Sequence, residues 1–155
     1  MRTAADWFDE YGVSHSHPTN ALLHWVCVPF IVLSVMGLLW SIPVPDAFAR
    51  LSPWVNWATL TTVAALIYYC TLSIRLAVGI ACAFALLLAL LQALASLPWP
   101  LWATSLAIFA AAWVGQFVGH AIEGRRPSFF KDLQFLLIGP LWLVMKLFAS
   151  LGLRH

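Results

Sequence analysis

Four stretches of the chain, about residues 22–40, 54–72, 76–97 and 101–119, are apolar for long enough to cross a bilayer. A helix needs roughly 20 mostly apolar residues to span a hydrocarbon core about 30 Å thick. Backbone groups in lipid must bond within their own segment, so the pattern predicts helices rather than strands. Pro29 falls near the start of the first span and is expected to bend that helix without breaking it. The links are short: a loop through Pro43, Pro45 and Pro53, a turn at Ser73-Ile74-Arg75, and Pro98-Trp99-Pro100. Short links make consecutive helices antiparallel neighbours in one bundle. The third span holds Gly79, Ala81, Ala85, Ala89 and Ala93, a run of small residues that reads as a close-packing face.

A fifth apolar stretch, within 128–151, contains Gly139-Pro140. Proline removes a backbone donor and disfavours helix at the residue before it. The segment therefore either crosses with a kink or dips in and returns to one face. Basic residues favour the second choice. With four spans and the N-terminus inside, Arg2, Arg75, Arg125, Arg126, Lys131, Lys146 and Arg154 lie inside and only Arg50 lies outside. The expected fold is an all-α integral membrane protein. Residues 1–155 form a single membrane domain of four transmembrane helices plus a re-entrant or interfacial C-terminal helical segment. Trp40, Trp54, Trp57, Trp99 and Trp102 then make an aromatic belt on the outer face.

Composition agrees with lipid as the solvent. Of 155 residues, 63% are hydrophobic and 9% charged, against about a quarter charged in soluble domains. A net charge of +2 gives no footing for nucleic acid. The N-terminal segment carries Asp6, Asp9 and Glu10, unlike a cleavable signal, so the first span is expected to remain. Cys27, Cys70 and Cys82 fall in apolar runs without the paired spacing of a zinc site, and read as small buried hydrophobes.

The chemistry available to so apolar a chain gathers at the inner ends of the first and fourth spans. Gln116, His120 and Glu123 stand at i, i+4 and i+7, one stripe of a helix end. Asn20 and His24 are likewise i and i+4, with His15 and His17 just ahead. Imidazole is the commonest metal ligand, and imidazoles with a carboxylate and open positions suit non-haem iron. The plainer alternative is that each histidine anchors a helix end at the interface and that His120 and Glu123 are only an i, i+3 pair. His17 and His155 read as solvated. Arg125 and Arg126 serve either as inner-face anchors or as a fork for a substrate carboxylate. Phe129, Phe130, Phe135, Leu136 and Leu137 either wall an acyl tail or face lipid.

The segment Tyr11-x-x-x-His15-x-x-Pro18-x-Asn20-x-x-x-His24-x-x-x-x-Pro29 resembles the N-terminal signature of the membrane 2-hydroxy fatty acid dioxygenases. Gln116-Phe117-Val118-Gly119-His120 and Glu123-Gly124-Arg125-Arg126-Pro127 are similar to the second signature, and Leu133-Gln134 through Gly139-Pro140 to the C-terminal part. The resemblance implies an Fe(II)-dependent dioxygenase that uses O2 to shorten 2-hydroxy fatty acids by one carbon (fatty acid α-oxidation). By motif, it implies His15, His24, His120 and Glu123 as metal residues, with Glu123 either a ligand or an orienter of His120. Asn20 and Gln116 become catalytic candidates, and Arg125 and Arg126 substrate-binding ones. Lys146 stands where many relatives are expected to carry an acid. The N-terminus and active site are expected on the cytoplasmic face, with a bacterial inner membrane preferred to endoplasmic reticulum. Rival readings are a haem-binding electron-transfer protein with His24 and His120 as axial ligands, a non-catalytic membrane scaffold, and a metal-dependent hydrolase.

Overall fold

The computed structural model describes residues 3–13, 15–52, 54–124 and 129–153. Every regular element among them is helical: α1 (Ala4–Val13), α2 (Pro18–Trp40), α3 (Asp46–Ala49), α4 (Trp57–Leu72), α5 (Ile74–Ala95), α6 (Leu101–Glu123) and α7 (Phe129–Ser150). Three of them, α2, α5 and α6, are long and apolar enough to cross a membrane. Large apolar side chains such as Leu22, Val78, Leu86 and Val114 point outward along these helices, as lipid contact requires.

The second predicted span is shorter than expected. Asn56 caps α4 by accepting from the Thr59 N–H at 3.1 Å, and Ser73 leaves the helix in an extended conformation and caps α5. That leaves 16 residues, roughly 24 Å of helix. The C-terminal segment, expected to be re-entrant or interfacial, forms one helix over Phe129–Ser150 with Pro140 inside it. A proline in a helix costs one hydrogen bond and disturbs the turn ahead of it, which need not reverse the chain. Here the Tyr69 hydroxyl donates to the Leu137 carbonyl, in that disturbed turn, at 2.7 Å. Pro29 is tolerated likewise, well inside α2 rather than near its start.

The packing order departs from simple neighbour succession. The most extensive interface is between α2 and α6, which run antiparallel, whereas α6 barely touches α5. Glycines explain the choice. A Cβ on Gly37 would strike Ser105, one on Gly115 would strike Cys27, and one on Gly119 would strike Asn20. Gly115 and Gly119 make a small-x-x-x-small pair, which lets helices approach closely where lipid supplies no hydrophobic drive. On α5 only Gly79 meets a neighbour at such range, against Val144 and Phe148 of α7, while Ala85, Ala89 and Ala93 are exposed. Likewise Cys27 is buried as expected but Cys70 and Cys82 are exposed.

α1 was not foreseen from its polar surroundings. It lies on α7, with Trp7, Phe8 and Tyr11 in a cluster with Ile138, Trp142 and Leu143. The larger core joins Leu33 and Met36 of α2, Tyr69 of α4, Leu76, Ile80 and Leu91 of α5, and Leu141 and Val144 of α7. Trp54, Trp57, Trp99 and Trp102 are exposed and gather with Trp40 at the bundle end where α2 finishes and α6 begins. The opposite end, where α2 begins and α6 finishes, carries the histidines.

Candidate metal centre

His15 follows α1, its N–H returning to the Gly12 carbonyl at 3.1 Å, His24 sits two turns into α2, and His120 lies in the last turn of α6. All three are buried. Their rings are close: centroids are 4.1 Å apart for His15 and His24, 5.2 Å for His24 and His120, and 5.6 Å for His15 and His120. One candidate ligand atom from each lies within 4.8 Å of the other two. The expectation that distant chain segments meet at one bundle end is met.

Hydrogen bonds fix what two of these rings present. His15 Nδ1 bonds to the Tyr11 carbonyl, and His24 Nδ1 to the Asn20 carbonyl at 2.9 Å. A carbonyl only accepts, so each Nδ1 carries the proton and each neutral Nε2 holds a bare lone pair. Those two Nε2 atoms face each other at 2.8 Å. Two acceptors at that distance repel unless positive charge lies between them. Metal–nitrogen bonds of about 2.0–2.1 Å at right angles would set two ligand nitrogens about 3 Å apart. His120 adds a buried Nδ1 with no hydrogen-bond partner among the described residues. The donor set therefore fits a divalent metal of the imidazole-preferring kind.

Burial holds the His15 imidazole below the ordinary histidine range, with the Tyr11 carbonyl pulling the other way. The ring is neutral at pH 7, the form that binds metal. Tyr11 also stacks on it, with centroids 4.0 Å apart and planes 10° from parallel, and Trp142 packs at a tilt against both rings, 5.8 Å from His15 and 5.3 Å from Tyr11.

Glu123 is near this group but differently employed. Its Oε1 accepts from the Ser16 N–H and hydroxyl, each at 2.8 Å, and its Oε2 from the Asn20 side-chain amide. The His17 backbone adds a further bond. The carboxylate thus ties the segment carrying His15 to the end of α6 that carries His120. His17 is exposed and caps α2, accepting from the Thr19 N–H at 3.2 Å. Gln116 lines a cavity of about 50 Å³ beside the three imidazoles, together with Tyr11, Val28, Ile31, Trp113 and Leu136. Asn20 is fully buried in the first turn of α2, against Gly119.

A family model described as 2-hydroxy-palmitic acid dioxygenase Mpo1-like matches residues 1–151. The chain belongs to the Mpo1-like family. It is similar to 2-hydroxy-palmitic acid dioxygenase MPO1 of Saccharomyces cerevisiae, at 28% identity over 144 residues, which cover 92% of this chain and 78% of that protein. No solved structure matches the chain. Within this Mpo1-like chain, Arg125, Arg126 and His155 lie outside the described residues, as do the side chains of Phe129, Phe130 and Phe135. Leu136 borders the site cavity and Leu137 is exposed. Lys146 is exposed, its Nζ 5.1 Å above the Trp142 ring.

Sequence reasoning assigned no role to Tyr11, Trp113 or Trp142. Two signals were available: Tyr11 and His15 are i and i+4, and Trp113, Gln116 and His120 continue one stripe of α6. Trp142 gave none, because its approach depends on how α7 lies across α1.

Proposed function

We propose that this protein is a non-haem Fe(II) dioxygenase that uses O2 to remove one carbon from 2-hydroxy fatty acids. The observation that carries the reading is the pair of Nε2 atoms that face each other at 2.8 Å, with a third buried imidazole beside them. Membership of a family described by 2-hydroxy-palmitic acid dioxygenase supplies the substrate class. Three imidazoles without a carboxylate would hold the ion: His15, His24 and His120. Bound there, ferrous iron would supply Lewis acidity and redox chemistry towards O2.

The chain's own residues do the rest. Tyr11 and Trp142 fix the plane of His15, and the Asn20 carbonyl fixes the tautomer of His24. Glu123 braces the histidine-bearing segments against each other, an outer-shell task of the kind that tunes metal affinity. Gln116 and Trp113 border the space left for reactants. Arg125 or Arg126, one and two residues beyond the αL Gly124 that ends α6, would take the substrate carboxylate through a guanidinium fork. The N-terminus and site face the cytoplasm in this reading.

A cavity of about 50 Å³ has no room for a porphyrin, which disfavours the haem alternative. A pure scaffold leaves the facing lone pairs unexplained. The deciding experiment is metal analysis of detergent-purified protein together with O2 uptake and product analysis on 2-hydroxyhexadecanoate. His120→Ala should remove iron and turnover together while the protein stays folded. Retained iron with full activity in that variant would refute the assignment.

A further inference from the structure

α2 presents a continuous stripe that begins at the metal centre and runs towards the far end of the bundle. His24, Val28 and Ile31 border the site cavity. Val32, Val35, Met36 and Leu39 carry the same face onward and border a second cavity of about 100 Å³. Its other walls include Ala58, Thr61, Ala65 and Tyr69 of α4, Phe84 of α5, and Leu136 and Pro140 of α7. Leu136 borders both spaces, so they meet at one side chain. The Tyr69 hydroxyl bond to the Leu137 carbonyl ties α4 to α7 beside that junction.

We propose that this α2–α4–α7 groove receives the hydrocarbon tail of the substrate, which enters past Leu136 and lies along Val32, Val35 and Leu39. The inference rests on the functional reading above and adds where the tail lies and what limits its length. From His24 to Leu39 the helix advances roughly 22 Å, the reach of a long-chain acid stretched out from its carboxyl end. The groove is apolar apart from threonine hydroxyls, as an alkyl chain needs. A neighbouring groove of about 330 Å³ between α2, α5 and α7 is larger and wholly apolar. It also reaches the site cavity, at Val28, and shares Val32, Phe84 and Pro140 with the first groove. Along α2 it ends at Val32, roughly 12 Å from His24, whereas the first groove continues to Leu39, and its wall includes the outward-pointing Leu86.

The test uses full-length protein in nanodiscs and 2-hydroxyhexadecanoate carrying a diazirine near its methyl end. Photolysis and peptide mapping should place the label on Val35, Leu39, Thr61 or Ala65. Label on Ala83, Leu86 or Leu147, or spread over outward residues such as Ile67 and Val78, overturns the proposal. A second measurement compares turnover of sixteen- and twelve-carbon 2-hydroxy acids. Thr61→Phe, at an exposed position, should lower kcat/KM for the longer acid relative to the shorter by roughly tenfold or more, and Val35→Phe by more still. Ala83→Phe, in the neighbouring groove, should leave the ratio unchanged; a shift there with none at Thr61 also overturns the proposal. Label in the α2–α4–α7 groove with no turnover of any 2-hydroxy acid would reject the enzymatic reading and leave the tail site standing. Turnover with label elsewhere would do the reverse.

Discussion

Both oxygens of Glu123 are engaged, one by Ser16 and one by Asn20, and this separates a brace from a ligand. Losing a brace leaves three imidazoles in place but loosely held. Glu123→Ala should weaken iron binding about 10- to 100-fold, the usual effect of outer-shell loss, as read by metal titration. His24→Ala should abolish binding in the same assay. His15 gives a second prediction through pH. Burial keeps its ring neutral in the fold below the pH at which the unfolded chain takes up a proton. The unfolded state then binds more protons, so metal-free stability is full above the ordinary histidine value of about 6.5 and falls as pH drops below it. Thermal melts of metal-free protein between about pH 7.5 and 5.5 should show this fall, and His15→Gln should lessen it. The identities of these residues were legible because helical spacing says which side chains share a face. It does not say who bonds to whom. The carboxylate therefore read as a possible ligand, and Tyr11 had no role until its ring was seen stacked on His15.

At the scale of elements, the pairing of α2 with α6 decides whether a site exists, since it alone joins His24 to His120. Gly119 is its tightest point near the metal, where an added methyl would meet the Asn20 side chain. Gly119→Ala should cost about 1–3 kcal/mol through overpacking and lower metal affinity by displacing Asn20 from Glu123. Denaturation in mild detergent and metal titration read the two effects separately. Tyr69→Phe removes the donor that reaches the α7 turn ahead of Pro140, and a loss of about 0.5–1.5 kcal/mol is expected in the same denaturation assay. Long apolar runs made the spans easy to read, because twenty residues of lipid-compatible side chain have few other uses. Three features escaped. α4 is shortened by caps at Asn56 and Ser73, which look like any polar residues in a linker. α7 runs through Gly139-Pro140 because its neighbours support the disturbed turn, a tertiary effect invisible to local rules. The Gly115 and Gly119 pair was present in the sequence, but the more obvious alanines of α5 drew the packing argument to the wrong helix.

For the whole molecule, connectivity constrains what α4 must do. α2 runs from the histidine end to the tryptophan end, and α6 returns, since Gly37 meets Ser105 near one end and Asn20 meets Gly119 near the other. α5 finishes beside the far part of α2, where Leu91 approaches Gly37, so it too starts at the histidine end. The chain must therefore come back between α2 and α5, and only α4 is available. At 16 residues it covers roughly 24 Å, short of a hydrocarbon core of about 30 Å. Such a mismatch is met by local thinning of the bilayer or by flanking residues that reach for the interface. The expected outcome is that α4 carries the chain across, leaving Arg50 and Arg75 on opposite faces. Cysteine placed at either position, with Cys27, Cys70 and Cys82 replaced by alanine, can be labelled with a membrane-impermeant maleimide. Arg50→Cys should react in sealed, right-side-out cells, and Arg75→Cys only in inverted vesicles, on the face that holds the metal centre. Reaction of both from one side would mean that α4 lies along the membrane, and the histidines of α2 and α6 could then share a face only if another segment made the return crossing.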